Sequence, residues 1–182
     1  DEVRTFNEEV AKDDNAIYTL NSVVTTLVAK DNFYKALKDN YDGYAPAVKS
    51  LLTKAKTNSV LKGKIKGVVA EIIKSDKKYD VALETALAAA AQNVVTSNTD
   101  DAKYLIEYLK ANKFGRITFL PITSVKPREQ SYQVTEALKE RGALGVANKL
   151  VSYDAQYENV ISNLLGIFGF LLHNGYKFIV KV

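Results

Sequence analysis

The sequence predicts an α/β (α+β) fold carrying a long N-terminal helix, and three observations lead there. Apolar residues recur at alternating spacings of three and four through the opening segment, which holds no glycine or proline before Gly43. Beyond Gly43 and Pro46, short β-branched runs alternate with segments of helical period, which favours mixed layers over a helical bundle. Finally, 182 residues at 47% hydrophobic and 25% charged are enough to enclose a core in one domain or two small subdomains, with a composition typical of folded protein.

In the opening segment Val3, Phe6, Val10, Asp13, Ile17, Leu20, Val24 and Leu27 occupy the a and d positions of a heptad, interrupted only by Asp13. Residues 1–38 therefore read as one helix with an apolar seam, and such a seam requires a partner helix. An ordinary amphipathic helix packed on its own domain is the other reading of so few heptads.

After Pro46 the spacing predicts a short helix over 47–56 and a β-branched strand over 65–73, introduced by Gly63 and Gly67. Asp76 is placed to cap a helix whose apolar positions are Val81, Leu83 and Leu87, continued by the alanines at 88–91. A strand over 92–96 follows. Asn98 or Thr99 then caps a helix with Ala102, Leu105, Ile106 and Leu109 at i, i+3, i+4 and i+7, ending near Gly115.

The remaining third predicts a strand over 116–120, a polar loop over 121–134 and a helix over 153–165. That helix buries Tyr157, Val160, Ile161, Leu164 and Leu165. Two short strands at 167–172 and 176–182 complete the chain. The natural partition is an arm end at 1–40, one subdomain at 41–112 and a second at 113–182.

Little in the sequence supports catalysis. His173, beside Asn174 and Gly175, is the sole histidine and reads as a turn residue, and the absence of cysteine excludes disulfides and thiolate metal sites. No phosphate-binding GxxxxGK[ST] occurs, and GKIKG at 63–67 has the wrong spacing and precedes a strand. The acidic pairs Asp100-Asp101 and Glu8-Glu9 fall near a helix start or on a polar face. We expect no enzyme, no cofactor, no metal and no small-molecule substrate. The most apolar run, 161–172, is too short and too interrupted to span a bilayer, so no membrane association is expected either. The mixed charges of the first ten residues and the absence of methionine lead us to expect an internal fragment of a longer chain.

Charge is unevenly placed. Between Asp42 and Glu71 there is no acid, while Lys49, Lys54, Lys56, Lys62, Lys64 and Lys66 all fall within that window. Such a patch suits weak, salt-dependent and sequence-independent binding to phosphates, and Lys54, Lys56, Lys62, Lys64 and Lys66 are the candidate DNA contacts. A second cationic group, Arg116, Lys126, Arg128, Lys139 and Arg141, brackets the polar loop. A merely solvated lysine face is the competing reading of both.

The block FGRITFLPITSVKPR (114–128) joins a helix-ending glycine, a short β-type run and a proline-punctuated loop. Around it lie YDGYAPAVKSLL (41–52), GVVAEII (67–73), KYDVALETAL (78–87), QNVVT (92–96) and GALGVANKLVSYDAQYENVISNLLG (142–166). In order and spacing this series resembles the hinge domain of SMC (structural maintenance of chromosomes) proteins, the bacterial chromosome partition form above all. The resemblance implies a two-subdomain hinge fold at the end of a coiled-coil arm. It also implies a homodimer formed through the hinge, ATPase heads and accessory-subunit contacts outside this chain, and a cytoplasmic, nucleoid-associated protein that joins two arms for chromosome condensation and segregation.

Gly142 and Gly145 in RGALGVA read either as a tight turn or as a place where a second chain approaches closely. The resemblance favours a role near the dimer contact. Two departures are apparent. Only nine residues separate NLLG (163–166) from YKFIVKV (176–182), where such hinges usually hold a strand, a helix and a loop. The glycine-rich stretch that usually follows the last strand is also missing, which puts the strength of dimerisation in question. A relative whose hinge pairs with a different chain is one alternative. A small α/β ligand-binding or enzyme domain with a helical extension is the alternative from another class.

Overall fold

The computed structural model describes residues 2–39, 41–128, 130, 132–173 and 176–181. It divides into two compact units, Asp1–Gly43 and Tyr44–Val182. The first unit is helix α1 (Glu2–Asp39), continuous as the absence of helix breakers predicts. Its heptad residues from Phe6 to Leu27 face solvent: Leu20 is 63% exposed and Leu27 59%. Tyr18, Val23 and Val28 are exposed as well, so the apolar surface is broader than the seam itself. Thr19, Thr25 and Thr26 donate their hydroxyls to carbonyls one turn back, satisfying within the helix side chains that could compete with it.

The second unit holds two three-stranded sheets. Helix α2 (Pro46–Thr57) starts with proline at its first turn, where the missing N–H costs nothing, and buries Val48, Leu51, Leu52 and Ala55. Asn58 then caps α3 (Ser59–Lys64), its side chain accepting from the amides of Val60 and Leu61. This helix was not anticipated. Strand β1 (Ile65–Val68) follows, and the chain turns into the single helical turn α4 (Val69–Ile72) where a strand to residue 73 was expected. The partner strand gives out first: the Val69 amide bonds Asn93 O, the residue before β2 begins.

One 3-10 turn (Lys77–Tyr79) leads into α5 (Asp80–Leu87), and Asp76 stands at the N-cap position without a capping side-chain bond. The buried face of α5 is Ala82, Leu83 and Leu87, whereas Val81 is 78% exposed. Val81 and Leu83, two residues apart, cannot share a helix face. The alanine run does not extend α5, for Ala88 takes φ 44° and the chain tightens into a 3-10 turn over Ala88–Gln92. High helix propensity alone does not continue α5 through these alanines.

Strand β2 (Val94–Thr96) is wholly buried. It pairs antiparallel with β1 and parallel with β3 (Phe119–Pro121), the crossover being α6 (Thr99–Asn112). Asn98 caps α6 by accepting from the Asp101 amide, and Lys113 ends it in the left-handed conformation. Ala102, Leu105 and Leu109 point inward as predicted, while Ile106 is 38% exposed at the margin. β3, which the expected boundary at 112/113 assigns to the second subdomain, thus pairs with the first sheet. It begins three residues later than the expected strand at 116.

Helix α7 (Tyr132–Ala137) and strand β4 (Ala143–Val146) were not foreseen. β4 is an edge of the second sheet, order β4-β5-β6, with β5 (Phe168–His173) and β6 (Tyr176–Lys181) as its antiparallel neighbours. His173 pairs through its backbone with Tyr176. The turn expected at Asn174 and Gly175 lies outside the described residues, as does Val182. Helix α8 (Glu158–Leu165) is shorter than expected, since its first turn is 3-10 (Ala155–Tyr157); Val160, Ile161 and Leu165 are buried, and Tyr157 and Leu164 partly so. Two hydrophobic clusters result. The larger packs α5, β2, α8 and β5, with Phe170, Val95 and Ile161 fully enclosed, and the smaller joins α2, α3 and α6 through Leu51, Leu61 and Leu105. Among the described residues, no helix is long and apolar enough to cross a membrane.

Candidate functional site

The lysines of the acid-free window emerge from consecutive elements. Lys54 and Lys56 occupy the last turn of α2, Lys62 and Lys64 the last turn of α3, and Lys66 the exposed side of β1. Four of these five positions are therefore helix C-termini, where the macrodipole favours a cation whatever else it binds. Lys54, Lys62 and Lys66 are exposed.

Lys64 differs. Its ammonium donates to Asp101 Oδ1 at 2.7 Å, with both side chains mostly shielded, and lies 4.8 Å from the Tyr104 ring centroid. Asp101 sits in the first turn of α6, the end that favours an anion, so two helix termini meet with the charge each prefers. The acid missing from the window in sequence is thus supplied in space by α6, and it partly neutralises the centre of the patch.

Gly142 and Gly145 have φ of 98° and 129°, values that favour glycine on local grounds alone. Gly145 marks a bulge, the β4–β5 register shifting between Ala143 and Gly145. A Cβ at Gly145 would meet Leu150 at 3.7 Å, an ordinary contact, so its requirement is conformational. The two glycines shape an edge strand, which is the part of a sheet open to another chain.

A polar network that sequence reasoning missed pins the segment after β4 onto α8. Tyr153 Oη donates to Glu158 Oε2 at 2.8 Å, Ser162 Oγ donates to Glu158 Oε1 at 2.9 Å, and buried Asn148 donates Nδ2 to Ser162 Oγ at 3.0 Å. Lys149 stands 3.6 Å from Glu158 Oε1. Partial burial, reinforced by the Glu158 charge, pushes the Tyr153 phenol up to about 12. The hydrogen bonds from Tyr153 and Ser162 hold the Glu158 carboxyl below the usual range. Glu158 and Ser162 are an i,i+4 pair on α8, whereas Asn148, Lys149 and Tyr153 join them only when the preceding segment packs on that helix. Among the described residues, no group of three or more His, Asp or Glu side chains is disposed to hold a metal.

Comparison with known proteins places this geometry. The family model for the SMC proteins Flexible Hinge Domain matches residues 61–170. The chain belongs to the SMC hinge family. It is 39% identical over 156 residues, 85% of its length, to the chromosome partition protein Smc of Bacillus subtilis (strain 168), and 34% identical over 154 residues to that of Clostridium kluyveri (strain NBRC 12016). In both cases it spans only 13% of the relative's length. Among solved structures, an asymmetric dimer of the Geobacillus stearothermophilus SMC hinge domain superposes with TM-score 0.77 and 31% identity, covering 88% of this chain and 62% of that one. The Pyrococcus furiosus Smc hinge domain with an extended coiled coil gives TM-score 0.55 and 26% identity over 85% and 59% of the two chains. The mixed helix-and-sheet hinge fold expected from the sequence is the fold found.

Proposed function

We propose that this chain is the hinge through which two copies of a chromosome partition protein dimerise, joining two coiled-coil arms whose ATPase heads lie elsewhere in the parent protein. The observation that carries this reading is the similarity over most of the chain to a hinge domain solved as a dimer. Two features support it: the solvent-facing apolar residues of α1 suit an arm awaiting its partner helix, and the glycine-shaped edge strand β4 suits pairing with a second copy. The partition into an arm end at 1–40 and hinge subdomains at 41–112 and 113–182 belongs to the same proposal, with the β2–β3 pairing as a contact across the second boundary. So does a cytoplasmic, nucleoid-associated location.

Light scattering decides the matter. A mass of two chains at roughly 10–50 μM is the expected result; a monomer throughout that range, in a chain extended to include the family's glycine-rich stretch, overturns it. Because Gly142 and Gly145 have positive φ, bulky replacements there strain the fold, and Ala143→Glu on the same edge strand is the cleaner way to weaken the dimer.

Weak DNA contact through Lys54, Lys56, Lys62, Lys64 and Lys66 completes the proposal. With two to four engaged lysines, log K against log salt should fall with a slope of about −1.5 to −3.5. The paired state of Lys64 puts most of the effect on Lys62 and Lys66, so changing those two to glutamate should remove most binding while sparing the dimer. Unchanged anisotropy at low salt would leave these lysines as a solvated face.

A further inference from the structure

We propose that the cleft between residues 74–79 and 149–152 docks an acidic segment of a protein partner, one carrying an apolar side chain among its carboxylates. The cleft is open to solvent and has a volume of about 470 Å³, within the range of ligand sites. Its lining combines buried Tyr79 and half-buried Leu150 and Val151 with Lys74, Lys78 and Lys149 against one acid, Asp76. A ligand matching this surface brings negative charge around an apolar anchor.

The walls are built before any ligand arrives. Lys74 and Ser152 exchange backbone hydrogen bonds of 2.9 and 2.8 Å across the cleft, and Ser75 Oγ donates to Asp80. Residues 148–153 are held on α8 by the network around Glu158. A preformed cleft spares the ordering cost that weakens binding to mobile loops. Lys149 stands 3.6 Å from Glu158, and Lys78 contacts exposed Asp76 at 3.0 Å and lies 4.9 Å from the Tyr79 ring centroid, so a ligand carboxylate competes with exposed, solvent-screened ion pairs.

Duplex DNA fits less well. It presents phosphates on a convex surface and offers no apolar group to Tyr79, Leu150 and Val151, whereas an acidic peptide supplies both parts. The proposal is independent of the dimer and of the lysine patch on α2, α3 and β1, since it uses different residues.

The test uses the whole chain and a set of fluorescein-labelled peptides of about twelve residues, each placing one Leu, Ile or Phe among six or more Asp and Glu. Saturable anisotropy with Kd below about 1 mM is expected for at least one peptide. Replacing its apolar residue by Ser, or combining Lys74→Glu with Lys149→Gln, should weaken binding about tenfold or more. Both lysines are exposed, and an unchanged far-ultraviolet circular dichroism spectrum confirms the fold of the variant. Saturation by no member of the set overturns the proposal. So does equal affinity for the Ser-substituted peptide, an equal loss in Lys62→Glu/Lys66→Glu, or loss of duplex binding in the cleft variant with peptide binding intact.

Discussion

Helices α1 and α6 draw on similar amino acids and end up in opposite environments. In α6, Leu105 is fully buried and Leu109 is 3% exposed, both locked against Leu51 and Leu61. In α1, Leu20 and Leu27 are 63% and 59% exposed. Helical period states which side chains share a face, and says nothing about whether that face is covered. Full burial of a leucine is worth about 1.5–3 kcal/mol, a gain that α6 receives from its own unit and α1 can receive only from another helix.

The largest expected effect sharpens this contrast. Leu105→Ala should destabilise the Tyr44–Val182 unit by about 2–5 kcal/mol in urea unfolding, because the enclosed cluster cannot close over the lost methyls. Leu20→Ala should change the same transition by less than about 0.5 kcal/mol. Comparable losses would mean that α1 is covered after all.

Hydrogen exchange probes the same difference residue by residue. Without a partner helix, α1 should exchange through local openings well below the global unfolding free energy, whereas the amides of β2 and α6 should reach it. Protection of α1 equal to that of β2, in a demonstrably monomeric sample, breaks the comparison and removes the support that α1 lends to the arm reading.

Smaller effects test where the hinge unit stores strain. Exposed Ala88 stands at φ 44°, and Ala88→Gly should stabilise the unit by about 1 kcal/mol as the Cβ penalty is relieved. A loss of stability would show that chain entropy in the unfolded state outweighs the strain.

The smallest effect is the pH response of the Glu158 network. Since folding lowers the Glu158 pKa, its contribution is present above the ordinary carboxylate value and is lost as pH falls through the lowered one. Tyr153 runs the other way, contributing below its ordinary value near 10 and losing that contribution as pH rises toward about 12. Glu158→Gln should therefore cost less than about 1 kcal/mol at neutral pH, the site being exposed, and nothing once Glu158 itself is protonated. A pH-independent difference between the two proteins would exclude the carboxylate as its source.

Much of the hinge was legible in the chain before folding. Pro46, Asn98 and the i, i+3, i+4, i+7 spacing within α6 are local devices, and they act in the structure much as the sequence predicts. The long uninterrupted helix and the ordered series of blocks from 41 to 166 were equally readable. Illegible were β4 and α7, a four-residue strand and a six-residue helix too short for periodicity to register. The early end of β1 was hidden as well, because a strand runs only as far as its partner does.

The sequence by itself determined the Asn98 cap and inward face of α6, the family and the supply of cations, since each depends on residues close together in the chain or on their order. Tertiary structure alone decided that Lys64 meets Asp101, that β4 becomes an edge, that Asn148 reaches Ser162, and that residues 74–79 and 149–152 line one cleft. These outcomes join residues separated in sequence, and local spacing does not predict them. Charge and hydrogen-bond energies fall off over a few ångströms, so which groups interact is settled only when folding makes them neighbours.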